Sequence, residues 1–289
     1  MKKIISSLFV SATLAVSLYA QTSCEKKSPS TEFVKEARIV YEKPEYASYT
    51  NSIIKKFLCK KGKSYYDQDE GGIVGWVKVE GARNVRDIGG WNNLATGKVY
   101  RGSELNTVKN HGLNLTEKGR QVMREKMKIK TDLDFRAVNK DERCEFVDVS
   151  PLGADIKLLD HPISNYTSMF KQTNQYAKVM RVFADSNNYP IYMHCWGGAD
   201  RTGTVAFILQ GLCGVSETDL AIDFELTSFA IFGSRQRRNR GGFKYAEIIQ
   251  KIKTYEGRTL VDKFRSYAKI TLGLTDKEID AIRKNLMNQ

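Results

Sequence analysis

His194-Cys195-Trp196-Gly197-Gly198-Ala199-Asp200-Arg201-Thr202-Gly203 lies between two apolar runs, Pro190-Ile191-Tyr192-Met193 before it and Thr204-Val205-Ala206-Phe207-Ile208-Leu209 after it. The first run is short and bounded by Asn187-Asn188, so it reads as a strand. The second is long enough for a helix, with Gly211 or Gly214 as its stop. A strand, a glycine-bearing loop and a helix start together make an anion site. Backbone N–H groups of the loop and first turn converge there, and the helix dipole adds partial positive charge. Into that point the sequence places Cys195, with Arg201 six positions on. The dipole and the cation favour a thiolate, and the planar guanidinium grips two oxygens of a tetrahedral dianion. Attack of sulfur on a bound phosphoryl group is the chemistry that uses all of these parts.

Outward from this loop, strand and helix patterns alternate. Upstream, Lys98–Arg101, Ile129–Phe135 and Ile156–Leu159 read as strands, the last ending in Asp160-His161-Pro162. Asn114-Leu115-Thr116-Glu117 has capping-box spacing for a helix running to about Met127. Tyr176, Val179, Met180 and Phe183 recur at helical spacing and predict an amphipathic helix over Gln175–Asp185. Strand, helix, strand points to an α/β fold with a central, mostly parallel sheet flanked by helices. Downstream, Ser216-Glu217-Thr218-Asp219 caps a helix reaching Leu226. Further helices are predicted over Phe243–Ile252 and Leu260–Ile270, and a last one opens at Thr275-Asp276-Lys277-Glu278. The C-terminal part is therefore helical. Ahead of all this, Ile73–Val79 alternates enough for a strand after Gly71-Gly72. Arg86 and Asp87, beside Gly89-Gly90, read as a tight turn with a local charge pair.

The loop matches the Cys-x5-Arg signature of the protein tyrosine and dual-specificity phosphatases, and its Asp-Arg-Thr-Gly ending resembles the bacterial branch that includes phosphoinositide-active members. Three companions occur in the order that branch implies: Asn84-Val85-Arg86-Asp87-Ile88-Gly89-Gly90, Tyr100-Arg101-Gly102-Ser103-Glu104-Leu105 and Thr131-Asp132-Leu133-Asp134-Phe135-Arg136. The resemblance spans roughly residues 81 to 230. It implies a cysteine-dependent phosphatase fold and a phosphocysteine intermediate on Cys195. The N–H groups from Trp196, Gly197, Gly198, Ala199, Asp200 and Arg201 would hold the phosphoryl oxygens, with Trp196 also a pocket wall.

The resemblance assigns His194 to orienting the loop and lowering the thiol pKa; a buried structural histidine has the same sequence signature. Thr202 is placed to donate its hydroxyl to the sulfur or to cap the helix. Two carboxylates compete for the general acid: Asp200, as in the branch resembled, and Asp160, whose Asp-His-Pro resembles the mobile acid loop of other dual-specificity and lipid phosphatases. Arg101 and Arg136 either point at a ligand or pair with Asp87 or Asp134. The phosphoinositide-active members usually carry a lysine where this chain has Ala199. The mechanism needs no cofactor, and no metal-ligand spacing is visible.

The chain has 289 residues and a formal charge of +13. Lys2-Lys3, the apolar Ile4–Leu18 and Leu18-Tyr19-Ala20 read as a signal peptide over residues 1–20. That leaves an N-terminal extension, 21–80, and a catalytic domain, 81–289. Export to a periplasmic or extracellular compartment follows, with lipoprotein anchoring at Cys24 the lesser reading. The mature chain has no integral membrane span. Removing residues 1–20, which hold two lysines and no acid, leaves a charge of +11, which suits anionic substrates: a phosphorylated protein, an inositol phosphate or a phosphoinositide. No nucleic-acid motif accompanies the charge. Arg235-Gln236-Arg237-Arg238-Asn239-Arg240 is either a solvated loop or an electropositive rim of the site. Cys24 and Cys59 are a candidate disulfide pair, and Cys213 is a buried apolar filler. The leading expectation is an exported phosphotyrosine phosphatase, extending to phosphoserine and phosphothreonine. Its rivals are an inositol-phosphate phosphatase of the same mechanism and a phosphate-binding module without turnover.

Overall fold

The structure is a computed structural model that describes residues 29–41, 75–106, 114–139, 148–230, 235, 237 and 244–288. The signal-peptide reading, Cys24, Cys59 and Cys144 lie outside the described residues.

Five strands form one sheet: β1 (Arg86–Asp87), β2 (Val99–Gly102), β3 (Thr131–Asp134), β4 (Lys157–Asp160) and β5 (Ile191–His194). Their spatial order is β1-β2-β5-β3-β4, with β1 antiparallel to β2 and every other pair parallel. The α/β expectation therefore holds. β5 sits in the middle and is buried throughout, as an apolar central strand covered on both faces should be. Its alternate side chains enter different cores. Ile191 and Met193 join the larger cluster and Tyr192 a smaller one, with Met123, Ile129 and Ile156.

The register decides where chemistry gathers. Gly102 and Asp134 both pair with His194, and Asp134 pairs with Asp160. Four parallel strands thus end level at one edge, and the segments after them meet at the carboxyl ends of the strands, where α/β folds bind ligands.

Eight helices surround the sheet among the described residues: α1 (Pro29–Tyr41), α2 (Glu117–Gln121), α3 (Thr173–Ala184), α4 (Arg201–Leu212), α5 (Glu217–Leu226), α6 (Tyr245–Lys253), α7 (Leu260–Ile270) and α8 (Asp276–Leu286). α4 leaves the catalytic loop and is buried almost all round from Thr202 to Leu212, the pattern of a helix at the centre of its layer. It packs on α5 and α7, where a Cβ at Gly211 would strike the Phe264 ring. α3 packs on α8. Thr259 and Thr275 begin α7 and α8 with reciprocal capping boxes.

Two local expectations are corrected, and one element is added to an unassigned stretch. Residues 75–79 form no strand beyond a single bridge from Trp76 to Arg86, because Gly75 turns the chain at φ +58°. The cap of α2 is Thr116, which accepts from the N–H of Gly119, rather than Asn114; the helix then widens into a π-turn over Val122–Lys126. The N-terminal lead contains α1, whose Phe33, Val34 and Ala37 are fully buried in the main core. Phe33 meets Phe229 edge to face, with centroids 4.9 Å apart.

Candidate active site

The loop from Cys195 to Asp200 keeps its shape because its carbonyl groups are held from outside. The carbonyl of Trp196 accepts from the N–H of Glu104 at 3.0 Å, and that of Gly197 from Asn84 Nδ2 at 3.1 Å. Arg101 Nη2 donates to the carbonyls of Gly198 at 2.8 Å and Ala199 at 3.2 Å. The carbonyl of Asp200 accepts from Thr204 N–H at 2.9 Å and from its hydroxyl at 2.8 Å. In a planar trans peptide the N–H lies opposite the C=O, so carbonyls turned outward leave the amide protons turned in. The N-terminus of α4 adds its unpaired donors and dipole at the same place. Gly198 is required twice here. It sits at φ +63°, and a Cβ would collide with the Gly102 carbonyl.

The outer residues are themselves tied together. Asp223 of α5 accepts from Arg101 Nη1 at 2.7 Å and Arg86 Nε at 3.3 Å, and Arg86 Nη1 donates to Asn84 Oδ1 at 2.5 Å. All four side chains are buried. Burial and the neighbouring Arg101 pull Arg86 down to about 9, against Asp223, so it stays charged at neutral pH. Arg86 and Asp87 are not a charge pair, since consecutive strand residues face opposite ways. Asp87 instead accepts from the N–H groups of Gly89 at 2.8 Å and Gly97 at 2.5 Å.

Arg101 pairs with Asp223 rather than Asp87. Arg136 does meet Asp134, at 2.8 Å, and also Glu104, at 2.7 Å. Both arginines are therefore buried braces.

Cys195 is 3% exposed. Burial opposes its ionisation, but Arg201, the Thr202 hydroxyl and the Thr202 N–H outweigh it, and the thiol lies below its ordinary pKa. Thr202 is fully buried beside it. His194 lies under the sheet edge, stacked on Tyr192 at 5.6 Å. Its Nε2 is 3.0 Å from Asp132 and its Nδ1 3.8 Å from Asp134. Burial lowers its pKa, yet these two carboxylates win and hold it above its ordinary value. His194 Nδ1 is also 3.3 Å from the Cys195 carbonyl oxygen, its contact with the loop backbone.

Arg201 borders an open cleft of about 460 Å³ lined also by Ala137, Pro162, Ile163, Ser164, Asn165 and Gln172. Its Nη1 donates to the Phe135 carbonyl at 3.4 Å. Trp196 is 38% exposed. Asp160 is exposed at the end of β4. Asp200 is partly buried and accepts from Tyr166 Oη and from Arg235 Nε, the latter at 3.0 Å. Of the arginine cluster, Arg235 thus faces the loop's carboxylate. Arg237 lies 3.8 Å over the Tyr41 ring. Neither is a solvated rim charge. The other cluster arginines lie outside the described residues.

Cys195, Trp196, Gly197, Gly198, Ala199, Asp200, Arg201 and Thr202 are thus brought together, with His194 behind them and Asp160 at the end of β4, two strands from β5. Asp223 and Tyr166 were missed. Asp223 had one signal, an acid among the apolar residues of Leu220–Leu226; Tyr166 had none. Among the described residues no group of His, Cys, Asp and Glu is arranged to hold a metal, and no helix is long and apolar enough to cross a membrane.

No curated protein sequence matches the chain. Two solved structures of the Siw14 catalytic core, one of them a crystal structure described as the PP-IP phosphatase from S. cerevisiae in complex with citrate, are similar at 18% identity and a TM-score of 0.37. They cover 63% of this chain and 94% and 92% of theirs. A family model described as the tyrosine phosphatase family matches residues 77–288. That span holds the cysteine loop and all three companion motifs, and the chain belongs to the tyrosine phosphatase family.

Proposed function

We propose that the protein is an exported phosphatase that hydrolyses phosphotyrosine monoesters through a phosphocysteine on Cys195. The observation that carries this reading is the loop whose carbonyls are held outward around a thiol of lowered pKa. In the first step the Cys195 thiolate attacks phosphorus, and the P–O bond to the leaving group breaks. The inward N–H groups and Arg201 stabilise the charge on the three equatorial oxygens. The leaving oxygen takes a proton from Asp200, with Asp160 the competing donor. Water then attacks the phosphocysteine and gives its proton back to that carboxylate, the sulfur departs as thiolate beside Thr202, and inorganic phosphate is released.

A second reading, an inositol-phosphate or phosphoinositide substrate, is favoured by one feature. The cleft beside Arg201 is open and lined by Ser164, Asn165 and Gln172 rather than by aromatic walls. Against it, Ala199 adds no cation to the loop. The test is phosphate release from a phosphotyrosyl peptide, a phosphoinositide and inositol hexakisphosphate, with EDTA and reductant present and Cys195→Ser as control. Preference for the peptide supports the leading reading, and preference for either inositol compound supports the second. Turnover that survives Cys195→Ser sinks both.

A further inference from the structure

Asp200 is gripped from two sides. Tyr166 Oη donates to its Oδ1, while Arg235 gives Nε to Oδ1 at 3.0 Å and Nη2 to Oδ2 at 3.2 Å. The Arg235 side chain is 7% exposed and that of Asp200 28%, so the ion pair is partly buried, from the arginine's side. Tyr166 is fixed at both ends. Its N–H donates to Thr204 Oγ1 at 2.8 Å, the hydroxyl that in turn donates to the Asp200 carbonyl. It does this at φ +48°, a left-handed conformation that is unfavourable for a bulky residue and persists only where its surroundings impose it. Its ring packs edge-on against Phe224.

Arg235 is anchored by Ser228, whose Oγ accepts from the Arg235 N–H at 2.7 Å and donates to its carbonyl at 2.8 Å. Two residues on, the Arg237 N–H donates to Glu225 at 2.7 Å, and its guanidinium covers the ring of Tyr41, the last residue of α1. A continuous set of contacts therefore runs from α1, which precedes the family match, to the carboxylate in the catalytic loop.

We propose that Tyr166 and Arg235 are positioning residues that hold Asp200 as an oriented carboxylate at the mouth of the loop, and that α1 fixes Arg235 through Tyr41 and Arg237. This rests on the reading of Asp200 as the acid and base of the phosphatase reaction. The grip has a chemical consequence. Both Asp200 oxygens accept hydrogen bonds, which fixes the plane of the carboxyl group and the direction each oxygen faces. Arg235 pairs with that carboxylate bidentately, while Tyr166 donates to one of its oxygens.

The test uses the full chain with Arg235→Gln, Tyr166→Phe and Tyr41→Leu, and Asp200→Asn as reference. kcat/KM is followed against pH on phenyl phosphate, a poor leaving group, and p-nitrophenyl phosphate, a good one. Loss of Arg235 leaves Asp200 without its bidentate partner and misaimed, so Arg235→Gln should reproduce part of the leaving-group dependence that Asp200→Asn shows. Phenyl phosphate should lose about tenfold more activity than p-nitrophenyl phosphate. Tyr166→Phe and Tyr41→Leu should show the same leaving-group bias to a smaller degree, and Arg235→Lys should restore part of the loss on phenyl phosphate.

Equal losses on both substrates make the grip merely structural and overturn the proposal, as does an Asp200→Asn enzyme with no leaving-group bias. Either result leaves Cys195-dependent turnover, and so the phosphatase reading, intact. Absence of Cys195-dependent turnover in the unaltered chain overturns both.

Discussion

Arg101 lies directly behind Gly198, with Nη2 donating to that residue's carbonyl at 2.8 Å while Nη1 holds Asp223 at 2.7 Å. One side chain therefore links the back of the loop to α5. Arg101→Lys keeps the charge but cannot reach both partners with a planar fork. It should lower kcat by about 100-fold, the scale of a 1 Å misplacement, with a small change in Tm. Arg101→Ala leaves Asp223 undercompensated in the interior and should cost about 3–5 kcal/mol in urea unfolding. Normal kcat in the lysine variant would show that the loop holds its shape unaided.

The two described cysteines should separate under alkylation. Arg201 and Thr202 lower the Cys195 thiol, whereas burial pushes Cys213 up to about 12. Thiolate is the reacting form, so iodoacetamide should label Cys195 at pH 7 and leave Cys213 unlabelled up to pH 9. Peptide mapping by mass spectrometry reads the outcome. Phosphate should protect Cys195, and equal labelling of both thiols would remove the basis for an activated nucleophile.

His194 supplies a pH-dependent part of the stability. Its folded pKa is raised above the ordinary 6.5 by Asp134 and Asp132, although burial opposes them. The folded state therefore binds its proton more tightly than the unfolded one. The resulting stability is fully present below pH 6.5 and is lost as pH rises through the raised value. Asp132→Asn should flatten this loss, so the difference in unfolding free energy between wild type and variant should shrink from pH 6 to pH 9. Parallel curves would place the histidine proton outside the folding equilibrium.

At the junction of α3 and α8, packing should outweigh charge. Ile282 is fully buried, while Arg181 and Glu278 form an ion pair with side chains 47% and 27% exposed. Ile282→Ala should cost about 2–5 kcal/mol, and Arg181→Ala less than about 1 kcal/mol. Chemical denaturation of the two variants checks the order.

The elements legible in the sequence were those whose pattern is local. β5, α3 and α7 follow from apolar periodicity, and Thr275 announces α8 by its capping spacing. The loop itself was legible because each of its residues serves one bound group. What supports the loop was not legible in the same way. Arg86 and Arg101 stood out as motif residues, yet their partner Asp223 lies more than a hundred residues downstream, and sequence spacing carries no information about such a contact. Arg86 beside Asp87 was misread because adjacency in a strand means opposite faces. α1 was missed because its buried side is only Phe33, Val34, Ala37 and Tyr41 among charged neighbours.

Gly203 leaves room for Arg101, whose Nη2 would lie 3.0 Å from an added Cβ, just as Gly198 leaves room for the Gly102 carbonyl. The catalytic loop and the start of α4 are therefore shaped to the end of β2, with their glycines where β2 needs volume. The loop is not a portable cassette. Residues 194–203 grafted onto another strand and helix without the partners supplied by Asn84, Arg101 and Glu104 would carry the nucleophile and the arginine but leave the carbonyls of Trp196 to Gly198 facing nothing. Such a graft would bear the family signature in any sequence search and bind no phosphate.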